Sequence, residues 1–171
     1  RSELSEKRER LAHLNDIEWH YIGPIQSNKT RILCQSSDWI DSLDREKVAL
    51  RLNEHAKALN KTLNVLIQVN ISASATKSGI PLTEVDSLAQ CIAQCSHLML
   101  RGLMAIPDKG NDDQVLQQFI AMNTCFVKLK QQYPQIDTLS LGMSGDMQLA
   151  VAAGSTQVRI GSAIFGERET K

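Results

Sequence analysis

The chain has 171 residues, 42% of them hydrophobic, with 19 basic against 19 acidic side chains and a formal net charge of zero. Binding a nucleic-acid backbone draws on a surplus of Lys and Arg that this balance does not supply, and no stretch approaches the roughly 20 apolar residues of a membrane span. The hydrophobic fraction, with only 4 prolines, excludes wholesale disorder, and the scarcity of aromatics (4%) leaves Val, Ile, Leu and Ala to build the core of a single domain over 1–171.

The opening segment RSELSEKRER reads as part of an amphipathic helix that begins without an initiator Met. Its charges exclude the apolar core of a signal peptide, so a cytoplasmic location is expected. Six apolar runs of strand length then alternate with stretches of helical period, at 18–22, 39–42, 64–70, 99–106, 138–142 and 157–165. This is the rhythm of βα units around a parallel sheet. Between the strands, Val48, Leu52, Ala56 and Leu59 recur at helical spacing, and so do Val85, Leu88, Ala89, Ile92 and Ala93. Thr83, with Asp86 three residues on and Pro81 just ahead, predicts an N-cap. A helix through Val115, Phe119, Met122, Phe126 and Leu129 should end at Tyr133-Pro134, and a short one over 145–153 should stop at Gly154. A closed (β/α)8 barrel typically needs about 250 residues. Six units therefore fit either a TIM-type barrel lacking its first two strands or an open doubly wound α/β sheet.

Unusual residues concentrate after the last two strands. In Leu141-Gly142-Met143-Ser144-Gly145-Asp146-Met147 a serine stands between glycines at a strand end and directly before a helix. Amides at such a helix start, with the Ser144 hydroxyl, make a phosphate cradle, although the same position suits a plain N-cap. Arg159 lies in an otherwise apolar strand and must meet an acceptor, while Gly161 and Ser162 follow at once and allow close approach of an anion. In (β/α)8 barrels the loops after strands seven and eight often bind phosphate. Gln26, Asn28 and Lys29 follow the first strand and a tight turn, and Lys77 sits in the polar loop after the third. His20 alternates with apolar neighbours and reads as a core histidine or a base. The remaining histidines, His13, His55 and His97, give no metal-ligand spacing, and the 4 cysteines lack a C-x-x-C pair and read as reduced packing residues. There is no G-x-G-x-x-G, P-loop, G-x-S-x-G or H-E-x-x-H.

Together, WHYIGPIQSNKTR at 19–31, LIQVNIS at 66–72, TKSGI at 76–80, LRGLMAIP at 100–107, LSLGMSGDM at 139–147 and VRIGSAIFG at 158–166 closely resemble the YggS/PROSC family of pyridoxal 5′-phosphate homeostasis proteins. The resemblance spans nearly the whole chain. It implies a fold-type III PLP barrel similar to the N-terminal domain of alanine racemase, whose members bind, buffer and deliver PLP without an established catalytic activity. It further implies PLP-dependent apoenzymes as recipients; the full-length protein is expected to be a monomer, and the charge balance and apolar pattern leave neither nucleic acid nor membrane as partner. By the same resemblance, Ser144, Gly161 and Ser162 hold the cofactor phosphate, with Ser162 where relatives usually have threonine. Arg159 faces the pyridine nitrogen, Lys77 is the lysine of the KSG block, and Met104 lines the pocket, with Gln26 and Asn28 as weaker candidates. An arginine there keeps the ring nitrogen unprotonated and weakens the electron sink, which suits cofactor holding or racemase-like chemistry better than transamination.

The family's Schiff-base lysine lies on the first barrel strand in an S-K-x-x-P setting, followed on the next by a G-E-N block. Neither block occurs in this sequence. The expectation is a chain that begins in the helix after strand two, with the phosphate and ring contacts but not the covalent anchor. An amino-acid racemase is the second reading, disfavoured at this stage because the chain ends soon after Gly166. An incomplete barrel should also leave sheet edges and interior side chains open.

Overall fold

The computed structural model describes residues 3–72 and 77–166. Among these residues, six parallel strands hydrogen-bond in the order of the sequence: β1 (His20–Tyr21), β2 (Trp39–Leu43), β3 (Leu63–Val69), β4 (Leu98–Ala105), β5 (Thr138–Met143) and β6 (Gln157–Arg159). A doubly wound sheet reverses its strand order at a switch point. Here the order never reverses, which removes that alternative. The sheet also curls. At about 4.8 Å per strand, four spacings in a flat sheet would hold β2 and β6 roughly 19 Å apart. Yet Gln157 on β6 donates to Asp41 on β2 at 3.0 Å. The architecture is a (β/α)8-type barrel segment of six strands.

Among the described residues, seven α-helices complete it: α1 (Glu3–Arg10), α2 (Thr30–Ser36), α3 (Glu46–Ala58), α4 (Val85–Ala93), α5 (Asp112–Gln132), α6 (Met147–Ala152) and α7 (Ser162–Phe165). Alternate strand residues such as Ile40, Leu43, Val65, Ile67, Leu100, Leu103, Leu139 and Leu141 are buried in one cluster with Val48, Leu52, Val85, Ile92, Phe119 and Met122 of the helices. That is the convex face, and it holds most of the hydrophobic stabilisation. A second, small cluster of Trp39, Leu66 and Met104 lies apart from it, on the concave face. There His20 stacks on the Trp39 ring at 4.8 Å, and the Arg101 guanidinium covers the same ring at 4.6 Å.

Two local expectations need correction. The last strand ends at Arg159 rather than at 165, because Gly161 breaks the extended run and Ser162–Phe165 forms α7, whose Phe165 amide returns to the Gly161 carbonyl at 2.9 Å. Thr83 does not cap α4, since a 3-10 turn over Leu82–Glu84 precedes the helix and no side-chain cap bond forms. The best-made cap belongs to α5, where Asn111 accepts from the Gln114 amide at 2.9 Å and Gln114 accepts from the Asn111 amide at 3.1 Å. Gly154 does stop α6, at φ +101°.

All four cysteines are unpaired, and burial pushes the Cys34 thiol up to about 11, which keeps it protonated and inert at neutral pH. The sheet edges are short, two residues for β1 and three for β6, which limits the unpaired backbone they present. Ile22, Met99, Ile106 and Met143 remain exposed along the concave side. Among the described residues, no helix is long and apolar enough to cross a membrane.

Candidate functional site

The C-terminal ends of β4, β5 and β6 converge on a cavity of about 510 Å³. Met104, Ser144, Arg159, Gly161 and Ser162, five of the eight cofactor candidates named from the sequence, line it, together with Gly145 and Ile22. Its size falls within the range of small-molecule pockets. Two strand-to-helix connections form its polar wall. After β5, the chain turns at Ser144–Gly145, and Asp146 ties the turn shut by accepting from the Met143 amide at 2.6 Å. Gly142 sits at φ +96°, and a Cβ there would stand 2.6 Å from the Ala150 methyl, so glycine lets α6 close onto the strand end. The second connection is held beside the first by the Ser155 hydroxyl, which accepts from the Leu141 amide at 3.2 Å and lies 2.8 Å from the Leu141 carbonyl, pinning the start of β6 to β5.

Ser144 does not cap α6, since Asp146 stands at that position. Its hydroxyl instead accepts from the Ala163 amide at 3.4 Å, so the turn after β5 meets the first turn of α7. That bond is long and easily exchanged for a better acceptor. A Cβ placed on Gly145 or Gly161 would meet nothing within 4 Å, so the backbone at both is open to an incoming group. Hydroxyls of Ser144 and Ser162, open glycine backbone and the start of α7 on one wall are the chemistry of an oxyanion cradle.

Arg159 forms the adjoining wall. Its Nη1 donates to the Ser140 carbonyl at 3.0 Å and to the Ser140 hydroxyl at 2.6 Å, and its Nη2 donates to the Ala105 carbonyl at 2.9 Å. These are the acceptors that an arginine in an apolar strand requires. Three N–H bonds used in this way leave two of the guanidinium's five for a ligand. Burial pulls the guanidinium below its usual value, and the carboxylates of Asp41 and Asp146 oppose that pull.

Lys77 lies elsewhere. It is exposed, pairs with Asp108, and lines a neighbouring cavity of about 370 Å³ with Gln68, Asn70 and Ser78, while residues 73–76 of its loop lie outside the described residues. The two cavities share Ile22 and Ile106. Gln26 and Asn28 are exposed and line neither cavity. None of the six strands carries a lysine. His20 is a satisfied interior histidine whose Nδ1 sits 3.0 Å from Asp41. Sequence reasoning missed Asp41 and Gln157. Asp41 is fully buried on the concave face, and a carboxylate inside the short apolar strand WIDSL was the available signal.

A curled parallel barrel segment with serine hydroxyls and open glycine backbone after its last two strands has the architecture of the (β/α)8 barrels, in which the loops at that end often bind phosphate. The sequence profile of the alanine racemase N-terminal domain family matches residues 2–169. Pyridoxal phosphate homeostasis proteins of Vibrio cholerae and Escherichia coli K12 are each 53% identical over 90% of this chain. The chain spans about two thirds of their lengths, 65% and 66% respectively. The structure of PipY from Synechococcus elongatus, solved with PLP bound, superposes with a TM-score of 0.86 at 33% identity, covering 94% of this chain and 76% of that one. Alanine racemase of Clostridium difficile shares the fold, with a TM-score of 0.71 at 14% identity over 98% of this chain and 46% of its own. The chain belongs to the alanine racemase N-terminal domain family, among its pyridoxal phosphate homeostasis proteins.

Proposed function

We propose that this chain forms the phosphate- and ring-holding part of a PLP-binding barrel domain, one that buffers pyridoxal 5′-phosphate inside the cell and passes it to PLP-dependent apoenzymes without catalysis of its own. The observation that carries this reading is the convergence of Ser144, Gly161, Ser162, Arg159 and Met104 on one cavity. Ser144, Ser162 and the Gly161 backbone hold the phosphate, Arg159 donates to the pyridine nitrogen, and Met104 provides an apolar wall. The open backbone at Gly145 and Gly161 fits a phosphate, since neither glycine has a neighbour that a bound group would have to displace. When bound, PLP supplies an aldehyde that condenses with amines. This chain's own residues bind and orient. The names of the relatives and the PLP held by PipY favour the same reading. The protein works as a cytoplasmic monomer. Racemase-like chemistry draws no comparable support, because the likeness to alanine racemase is one of fold.

The test avoids lysine chemistry by using pyridoxine 5′-phosphate, which has an alcohol in place of the aldehyde, beside pyridoxine. Calorimetric titration should give saturable 1:1 binding of the phosphate ester, with pyridoxine at least ~30-fold weaker, since charge-assisted hydrogen bonds to the phosphate contribute about 1.5–3 kcal/mol each. The double variant Ser144→Ala/Ser162→Ala should lose most of that preference. Equal affinity for the two ligands would refute the cradle.

A further inference from the structure

The concave face carries a buried polar chain that ligand contact alone does not explain. Asp41 on β2 is fully buried, and its carboxylate accepts from the Gln157 amide at 3.0 Å and lies 3.0 Å from His20 Nδ1. The same Gln157 nitrogen reaches the Ser140 hydroxyl at 3.4 Å, and that hydroxyl takes the short 2.6 Å bond from Arg159. Asp41, Gln157, Ser140 and Arg159 thus form one line running from β2 across the barrel interior to β6 and β5. The register places Gln157 directly opposite Ser140, so the two meet without distortion of either strand.

A carboxylate buried against apolar neighbours costs several kcal/mol unless charges and donors compensate, and a hydrophobic replacement often serves stability as well or better. Retaining a charge here is therefore explained by what it holds. Asp41 fixes the Gln157 amide so that one N–H faces the carboxylate and the other faces Ser140. Ser140 then presents a hydroxyl acceptor beside its own carbonyl, and the pair sets the plane of the guanidinium from one side while the Ala105 carbonyl sets it from the other. Without Gln157, Ser140 is free to rotate toward other partners and Arg159 keeps only its carbonyl bonds.

We infer that Asp41 and Gln157 are positioning residues that clamp Arg159, through Ser140, in the orientation that meets the ring of the bound pyridine ligand. This rests on the reading of the cavity as a PLP site. The clamp acts on the ring end of that ligand and not on the phosphate end, because its chain of hydrogen bonds ends on Arg159 and neither Asp41 nor Gln157 lines the cavity itself.

The experiment compares the wild-type chain with Gln157→Met, which is close in volume and removes both donated bonds, and with Asp41→Asn. Titration with pyridoxine 5′-phosphate and with inorganic phosphate separates the two ends of the site, and the arginine side-chain N–H signals report the clamp without any ligand. The clamp predicts separate, slowly rotating Nη signals for Arg159 in the wild type that average in Gln157→Met. Affinity for pyridoxine 5′-phosphate should weaken ~10-fold, about 1.4 kcal/mol, with inorganic phosphate unchanged within ~2-fold. Asp41→Asn should move in the same direction, and Gln157→Met, at a partly exposed position, keeps the test intact if Asp41→Asn does not fold. Arginine signals unaltered in Gln157→Met would overturn the clamp. Parallel loss of both ligands would also overturn it, as general damage rather than positioning. A wild type that binds neither ligand would refute the PLP reading instead, and the arginine signals would still decide whether Gln157 holds Arg159.

Discussion

Gly102→Ala is expected to destabilise the chain by more than ~3 kcal/mol, combining backbone strain with a steric clash that forces strands apart. Gly102 sits at φ +152° in β4, and a Cβ built there would lie 1.7 Å from the Thr138 carbonyl oxygen of β5. A backbone atom of a paired strand cannot yield as a flexible side chain can. The β3–β4 register shifts between Val65 and Leu66, where Arg101 is the extra residue of β4, and Gly102 resumes the pairing directly after it, with Leu66 on one side and Thr138 on the other. Urea unfolding should show a lower midpoint for Gly102→Ala. Gly145→Ala is the stability control, because its Cβ meets nothing within 4 Å. A Gly102→Ala chain within ~0.5 kcal/mol of wild type would mean that the β4–β5 pairing is looser than described.

Arg159→Met should reduce affinity for pyridoxine 5′-phosphate by ~10- to 100-fold, the range spanned by one or two hydrogen bonds from a charged donor. Methionine keeps much of the apolar stem but removes the donors to the ligand and to Ser140 and Ala105. Those two carbonyls lose a partner, so a lower unfolding midpoint should accompany the loss of affinity. Binding retained at wild-type strength would place the ligand ring away from Arg159 and would remove the basis for its assigned role.

Much of this was legible in the chain because parallel strands buried on both faces write themselves as near-continuous apolar runs. LNVLIQV, flanked by helical periods, could hardly be anything but a strand, and it forms β3. The residues that meet at the cavity were legible for a different reason. Glycine and serine directly after an apolar run have few structural alternatives, and Arg159 in such a run demanded acceptors. The overextended last strand failed because IGSAIF is apolar enough to continue β6, and only the turn at Gly161 redirects it. Asn111 and Gln114 carried a capping-box spacing that marks the start of α5, whereas Thr83 offered a weaker version that the 3-10 turn displaced. Gln157 and Asp41 stand 116 positions apart, and no local pattern reports a contact made only when the sheet curls. Curvature itself is a property of the whole sheet, which is why barrel and open sheet could not be separated until strand order was known.

The central claim is that the turn after β5 and the start of α7 together hold a phosphate ester. Backbone amide NMR on the chain, titrated with pyridoxine 5′-phosphate, tests it residue by residue. The account predicts saturable shifts that are largest at Ser144, Gly145, Gly161, Ser162 and Ala163, with the Arg159 side-chain signals following at the same midpoint. Shifts centred instead on Lys77 and Ser78, with the two turns unmoved, would contradict it and move the binding site to the neighbouring cavity.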